Sequence, residues 1–397
     1  MQIKIHRGTH QIGGVITEIS SATTRIFIDI GSELPDELGN SQSEALPIDG
    51  VTDGPVDCDA VLFTHYHGDH IGRLSEILPG IQLFMGPAAK EIYLTLQKRV
   101  PHGIPDKVEM VNSFTQGRKF WIKDIAITPI SVDHSAYDAY MFLVEADGKR
   151  ILHTGDFRGH GFRGKGLLPA LIKYVGQVDV LITEGTILSR DESDYLSEHE
   201  LQHRAKLLLQ DYKYVFVICS STNIDRIGAF CQAVPRGKYF IGDQYQKDIL
   251  NVVENYAAQF STLLYRFEKL LTYGENLRAK LETRGFCMLV RSNRFFQKFL
   301  DYYRHAHNDE TLVIYSMWSG YLKQPESRLH DMIDGFSNVI PLHSSGHADI
   351  KTIIDVCKVV SPRNAIIPIH STNSRRLSDL GLPYHIEYLD DGQTYNL

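Results

Sequence analysis

Six consecutive residues, H-Y-H-G-D-H, place His65, His67, Asp69 and His70 directly behind the apolar run A-V-L-F-T. In an extended segment two side chains two residues apart point the same way, so His65 and His67 face one side. Gly68 permits a sharp turn, after which Asp69 and His70 can face the same pocket from the other side. Three imidazoles and a carboxylate at this density suit a Zn²⁺ centre, which takes nitrogen and oxygen donors. One loop cannot complete two metal sites, and further donors stand at other strand ends. His134 follows A-I-T-P-I-S-V-D, Asp156 follows R-I-L-H-T-G, His370 follows A-I-I-P-I, and Asp29 ends R-I-F-I-D. Each closes an apolar run at a turn, so all can converge on one edge of a sheet sandwich. Any one alone would read as an ordinary polar residue; together with the first loop they point to metal chemistry.

The elements that must carry these residues are legible as patterns. The first third is β-rich, with runs M-Q-I-K-I-H, G-V-I-T-E-I and R-I-F-I-D-I separated by turn residues. Helical patterns are expected over 72–78 and 88–100, and strands around 120–132, 140–145 and 150–153. From about residue 195, helices at 195–210, 225–233, 245–262, 292–306 and 325–334 alternate with short β-branched runs. This alternation predicts a largely parallel sheet. The tail reads as a helix from Ala348, the strand A-I-I-P-I-H, and a closing hairpin over Y-H-I-E-Y-L-D-D-G-Q-T-Y. The fold class is α/β, with 190–340 inserted as a second domain into a first made of 1–189 and 341–397.

The chain has 397 residues, of which 43% are hydrophobic and 22% charged, an ordinary globular balance that excludes disorder or coiled coil as its overall state. Acidic residues exceed basic ones, giving a net charge of −7, which argues against non-specific coating of nucleic acid but not against a nuclease with a local basic groove. No apolar run is long enough to span a membrane, and the N-terminus has no apolar signal core, so no membrane partner and a cytoplasmic location are expected. Cys58, Cys219, Cys231, Cys287 and Cys357 are dispersed without a C-x-x-C pair and read as reduced, buried thiols.

The motif H-x-H-x-D-H, with Asp29 before it and His134 and Asp156 after it, resembles the metallo-β-lactamase fold. That resemblance implies an αββα sandwich with a dinuclear centre of two Zn²⁺, Mn²⁺ being the alternative. By match, His65, His67 and His134 would bind one metal and Asp69, His70 and His370 the other. Asp156 would bridge them, and Asp29 would orient the loop from behind. Three further segments, L-I-T-E-G-T, H-S-S-G-H-A-D and I-P-I-H, resemble motifs A, B and C of the β-CASP nucleases and single out Glu184, His347 and His370. The signatures T-H-Y-H-G-D-H-I-G, H-T-G-D-F and S-G-H-A are most similar to the bacterial ribonuclease J branch, in a short form with no further C-terminal domain. S-T-N-I-D-R-I, residues 221–227, is similar to its phosphate-handling loop, with Thr222 where serine is usual and Asp225 where histidine is common.

The resemblance implies a metal-dependent ribonuclease acting on single-stranded RNA by water attack at phosphorus, with 5′-to-3′ exonuclease action as one form. Asp69, Glu184 and His347 are the catalytic candidates, His347 protonating the leaving 3′ oxygen with Glu184 orienting it. Thr222, Asn223, Arg226, Ser345 and Gly346 are candidates for a substrate phosphate. The rivals are a small-molecule metallohydrolase of lactonase or thioesterase type, a DNA-directed nuclease of the same branch, and a non-catalytic RNA-binding subunit. A homo-oligomer is compatible with the sequence, which fixes no assembly state. Two other segments invite a reading. G-H-G-F-R-G, residues 159–164, fits a dinucleotide fingerprint but lacks its acidic partner about 20 positions on, so a mobile basic loop of Arg158, Arg163 and Lys165 is expected instead. Segment 266–304 holds nine Lys or Arg against four Asp or Glu, among aromatics. It reads as an amphipathic helix burying its rings or as a strand-binding groove.

Overall fold

The structure, a computed structural model, describes residues 1–35, 46–190, 195–260, 264–324 and 328–397. These form two compact units, one from 1–34, the described part of 41–194 and 346–397, the other mainly from 195–345.

The first unit opens with strands β1 (Gln2–Arg7), β2 (Ile16–Ser20), β3 (Arg25–Ile30) and β4 (Ala60–Leu62). The short helix α1 (Gly68–Ile71) leads to β5 (Gln82–Met85), α2 (Pro87–Gln97), α3 (Pro105–Glu109) and β6 (Asn112–Ser113). Next come β7 (Phe120–Ile122), β8 (Ile125–Val132), β9 (Ala139–Ala146), β10 (Lys149–His153), α4 (Leu167–Tyr174) and β11 (Val180–Glu184). The second unit then contributes α5 (Glu198–Asp211), β12 (Tyr214–Ile218), α6 (Ile224–Ala233), β13 (Tyr239–Gly242), α7 (Gln244–Ala257) and β14 (Leu270–Thr272). It continues with α8 (Arg278–Arg284), β15 (Phe286–Val290), α9 (Arg294–Ala306), β16 (Thr311–Tyr315), α10 (Leu329–Ile333) and β17 (Val339–Pro341). The chain returns to the first unit as α11 (Ile350–Val360), β18 (Ala365–Ile369) and β19 (Thr394–Asn396).

Two sheets make the first unit, in the orders β19-β1-β2-β3-β4-β5-β6 and β18-β11-β10-β9-β8-β7. Their facing side chains, among them Ile3, Ile26, Ile28 and Leu62 from one sheet and Phe142, Val144, Ile182 and Ile367 from the other, form one buried core. This is sheet-on-sheet packing driven by apolar burial. In each sheet, parallel pairing (β3-β4-β5 and β10-β11-β18) brings several strand C-termini to one edge. That edge is where the ligating residues emerge.

The second unit is built on one sheet, β14-β13-β15-β12-β16-β17, paired in parallel throughout. Its central strands, β12, β15 and β16, are buried along their whole length, as expected where helices cover both faces. Helices α5 and α7 open on capping boxes, Ser197 with Glu200 and Asp243 with Gln246, which satisfy orphan backbone donors.

Several expectations need correction. The helix expected over 72–78 begins at Gly68, stops at Ile71, and is followed only by a 3₁₀ turn at Leu74–Glu76. Arg73 N–H donates to Ile30 O at 3.1 Å, which pulls the chain out of the helical path. No closing hairpin forms at the tail: Ile386 bridges in parallel to Ile366, and β19 pairs instead with β1. Helix α7 ends at Ala257 with a 3₁₀ turn to Phe260, and residues 261 and 262 of the expected helix lie outside the described residues. The helix expected at 325–334 is described only over Leu329–Ile333; residues 325–327 lie outside as well. Arg158 is not on a mobile basic loop. It is fully buried, and its Nε donates to Asp133 Oδ1 at 2.8 Å, while Arg163 N–H donates to Asp133 Oδ2 at 2.6 Å.

Candidate metal centre

The histidine loop leaves β4 and is held by backbone bonds to the residue before β2 and to the segment that follows β3. Val15 N–H donates to Asp69 O at 3.1 Å, and Ser32 N–H donates to Gly68 O at 2.9 Å. Gly31 makes this approach possible, because a Cβ there would lie 1.7 Å from Asp69 O. Asp29 and His370 sit in left-handed backbone, with φ of 62° and 56°. Such strain at non-glycine positions persists only where surroundings over-determine it.

The donor atoms converge. His65 Nε2 lies 3.1 Å from His67 Nδ1, and His134 Nε2 lies 3.2 Å from that same Nδ1. His70 Nε2 is 3.2 Å from Asp156 Oδ2, and His370 Nε2 is 3.2 Å from Asp69 Oδ2. Asp156 Oδ2 also stands 3.9 Å from both His65 Nε2 and His134 Nε2, and 3.8 Å from His370 Nε2, so it faces both groups. Four overlapping sets have ligand atoms within 4.8 Å of one another: His65, His67 and His134; His65, His70 and Asp156; Asp69, His70 and His370; and Asp156, Glu184, His347 and His370.

A chain of hydrogen bonds settles which ring nitrogens face inward. Thr64 Oγ1 donates its one proton to Asp29 Oδ2 at 2.7 Å, so toward His65 Nδ1, 3.0 Å away, it accepts. His65 therefore carries its proton on Nδ1 and presents a bare Nε2. His70 Nδ1 donates to Asp29 Oδ2 at 2.7 Å, and His134 Nδ1 donates to the Gly346 carbonyl at 2.6 Å. Both again turn Nε2 inward. Asp29 also accepts from Thr64 N–H at 2.8 Å. A carboxylate and a carbonyl behind ligating imidazoles fix tautomer and orientation in this way in metal sites generally.

The electrostatics divide the two sets: burial would lower His70 and His370, but the carboxylates of Asp156 and Asp69 facing them raise both imidazoles, while the other three histidines are held neutral. Burial and neighbouring imidazoles push His65 and His134 well below the ordinary range, and burial holds His67 at about 4, so all three are neutral ligands near pH 7. Burial alone would raise Asp156, but His370, His70 and His347 around it hold it well below the usual carboxylate range. Asp156 Oδ1 is buried, and among the described residues it has no hydrogen-bond partner. Such an orphan atom is expensive unless a cation meets it. The donor set, its tautomers and its orphan atom fit metal ions.

Glu184 and His347 lie beside this set. Glu184 is buried; its Oε1 accepts from Phe157 N–H and Ala348 N–H, both at 3.2 Å. Its Oε2 faces His347 Nδ1 at 3.1 Å, and Asp156 Oδ2 lies 3.5 Å from that nitrogen. Sequence reasoning missed Thr186, whose Oγ1 is 2.8 Å from His370 Nδ1 and 3.2 Å from His347 Nδ1, and missed Thr64 as well. The available signal was position: each is a hydroxyl next to a ligand motif, one residue before His65 and two after Glu184.

The phosphate candidates fall on two segments that meet in the second unit, where Arg226 Nη2 donates to the carbonyl of Ser344, next to Ser345, at 3.1 Å. Gly346 offers its carbonyl to His134. Ser345 is buried, and the helix α11 that follows is capped by Asp349, which accepts from Thr352 N–H at 2.6 Å. In the second unit, Asn223 caps α6 by accepting from Arg226 N–H at 3.3 Å, and Thr222 Oγ1 lies 2.9 Å from Ser220 Oγ. Arg226, expected at a phosphate, is fully buried. Its Nε and Nη2 donate to Glu198 at 3.1 and 2.9 Å, and Nη1 donates to Ser316 Oγ at 2.7 Å. Its guanidinium is committed to the fold.

Residues 24–212 match a family model described as Beta-lactamase superfamily domain. Among curated proteins, the chain is similar to a Ribonuclease J of Sinorhizobium meliloti (strain Sm2011 / Rm2011 / 2011), 21% identical over 186 residues, which are 44% of this chain and 31% of that protein. It is also similar to a Ribonuclease J of Mycoplasma genitalium (strain ATCC 33530 / DSM 19775 / NCTC 10195 / G37), 23% identical over 238 residues, 58% of this chain and 41% of that one. The matched stretches thus span less than half the length of these relatives. A solved structure of a protein of unknown function from Enterococcus faecalis V583 shares the fold, with TM-score 0.76 and 20% identity, covering 100% of this chain and 99% of the other. The match over residues 24–212 agrees with the metallo-β-lactamase resemblance carried by the histidine motif. No described helix is long and apolar enough to cross a membrane.

Proposed function

We propose that this chain is a metallo-β-lactamase superfamily domain working in a metal-dependent ribonuclease that hydrolyses phosphodiester bonds of single-stranded RNA. The observation that carries the reading is the pair His347–Glu184, 3.1 Å apart and bordering the ligand set at Asp156. A simple small-molecule hydrolase of this fold needs the metal ligands but no such buried carboxylate–imidazole pair. The similarity to two ribonucleases J supports RNA over DNA or a lactone.

In this proposal His65, His67 and His134 would hold one cation and Asp69, His70 and His370 a second, with Asp156 facing both sets. Zn²⁺ suits the donors, and Mn²⁺ is the alternative. Cations held there supply Lewis acidity toward a phosphoryl oxygen and lower the pKa of water at the site. The remaining steps belong to side chains. Asp29, Thr64 and Gly346 fix the imidazoles from behind. Glu184, anchored by two backbone N–H groups, keeps a proton on His347 Nδ1 and so makes Nε2 the atom that passes a proton to the leaving 3′ oxygen. Thr222 and Ser345 remain the proposed contacts for a substrate phosphate. Asn223 and Arg226 support the loop that carries Thr222.

The test is cleavage of one 5′-monophosphorylated RNA strand and its DNA copy by metal-loaded protein, with fragments resolved by length and His347→Ala alongside. RNA-selective cutting that His347→Ala lowers at least 10²-fold is expected, from the size of general-acid contributions. Preference for DNA would move the reading to DNA-directed chemistry. Cutting of neither strand by protein with both sites loaded would overturn it in favour of a small-ester or lactone hydrolase.

A further inference from the structure

We propose that helix α9 of the second unit carries a docking surface for single-stranded RNA, distinct from the metal centre. The inference rests on RNA being the substrate and names a second surface that holds the strand. At 100° per residue, three faces of α9 separate. Phe296, Leu300 and Tyr303 are buried in the core of this unit. On the adjoining side Phe295, Phe299 and Tyr302 line up, with Phe295 43% and Tyr302 38% exposed. Beyond them lie Arg294 and Lys298, both exposed.

The aromatic side is organised rather than incidental. Tyr273 packs edge-on against Phe295 and Phe299 at 5.7 and 4.4 Å between ring centres, and Phe295 and Phe299 are 5.3 Å apart. Arg278 from α8 lies over the Tyr302 ring at 4.9 Å. Arg294 and Lys298 make no ion pair among the described residues, and Lys280 and Arg284 are exposed on α8. The segment 266–304 has five more basic than acidic residues (9 − 4), of which Arg291 pairs with Asp243 outside it, in a chain of net charge −7. Burying the stripe in a protein core would leave these cations unmatched. A polyanion with flat rings meets both features: phosphates along Arg294 and Lys298, bases against Phe295 and Tyr302. From residue 294 to 302 the helix rises about 12 Å, room for about two nucleotides.

The experiment is fluorescence anisotropy with a labelled phosphorothioate 12-nucleotide RNA, titrated at several salt concentrations into the metal-loaded full chain. Arg294→Ala with Lys298→Ala should weaken binding about tenfold and reduce the log–log salt slope by about 1.4, the value for two phosphate contacts on a single strand. Phe295→Ala with Tyr302→Ala should weaken binding about tenfold with the slope unchanged, since stacking is not ionic. The charge pair is exposed, so its melting temperature should stay near that of the native chain; Phe295→Leu with Tyr302→Leu, which keeps apolar contact with Tyr273 and Phe299 but removes the flat rings, is the second aromatic variant and should weaken binding to the same extent. Equal affinity and slope in all variants would overturn the proposal. So would loss confined to the charge variant, which would mark a site for acidic surfaces in general, such as an acidic protein segment. A chain that binds through α9 yet cuts no RNA would leave this surface standing and remove the nuclease reading. A chain that cuts RNA while all variants bind alike would remove the surface alone.

Discussion

Thr64 has one hydroxyl proton and gives it to Asp29, and this small fact orders the centre. Because the hydroxyl must then accept from His65, two side chains that touch no substrate decide which nitrogen of His65 faces inward. Removing the carboxylate charge behind His70 and Thr64 should loosen this control. Asp29→Asn is expected to lower metal affinity by about 10–100-fold, measured by competition with a chromogenic chelator, with folding retained. Retention of full affinity would mean that Asp29 is only a packing residue. At this scale the donors themselves were legible, since His, Asp and Glu at strand ends have few other uses in such numbers. The hydroxyls were not, because Thr64 and Thr186 act only through neighbours that folding brings to them. Arg226 was misread for a related reason. Its motif position suggests a phosphate, but its partner Glu198 lies in another helix, and the ion pair appears only once α5 and α6 pack. Arg226→Ala should therefore cost about 3–5 kcal/mol, the penalty for an orphaned buried charge, read from the urea midpoint. A phosphate contact at an exposed loop would cost almost nothing.

The ligands meet because a few strands end at one edge, and the spacing between those ends is set by backbone contacts. Gly31 lets the histidine loop pass the end of β3 at a distance no side chain tolerates. Gly31→Ala is expected to destabilise the first unit by about 3 kcal/mol or more, since the clash is with backbone and cannot relax by a rotamer change. Thermal melting would show it, and a melting temperature within a degree or two of the native chain would contradict it. Strands and long helices were readable from apolar pattern and β-branched runs, and the parallel sheet of the second unit followed from their alternation. What failed was local and tertiary in origin. The helix expected over 72–78 is cut short by the bond from Arg73 to Ile30, and the tail forms no hairpin because β1 offers its last segment a better edge. Neither partner is near in sequence. On α9 the pattern carried two messages at once, a buried side and an exposed aromatic one, and only burial separates them.

Across the whole molecule, ordinary stability rests on buried apolar surface and a few charged clusters that respond to pH. Burial would raise Glu18, but hydrogen bonds from His6 and Arg25 outweigh it and hold its carboxyl at about 2, against 4.5 for the free group. A carboxyl depressed in the folded state contributes fully above the unfolded value and loses that contribution as pH falls from about 4.5 toward 2. Glu18→Gln should cost about 2 kcal/mol at pH 6 once screening is allowed for, and less than half of that at pH 3, by urea unfolding at the two pH values. A gap that grows on acidification would reverse the sign. The five cysteines are all buried and unpaired, and burial raises each thiol, to about 12 for Cys58, Cys219 and Cys357. Native protein should thus react with no equivalent of a thiol reagent and denatured protein with five, whereas rapid labelling of the native chain would contradict the burial. The central claim, hydrolysis of RNA by a water activated at the centre, is tested most directly by cutting a defined RNA strand in ¹⁸O-labelled water and weighing the ends. The expected products are a 3′ hydroxyl and a 5′ phosphate carrying one ¹⁸O, both absent with His347→Ala. Unlabelled ends with a cyclic phosphate, or an intact strand with both metal sites filled, would contradict it.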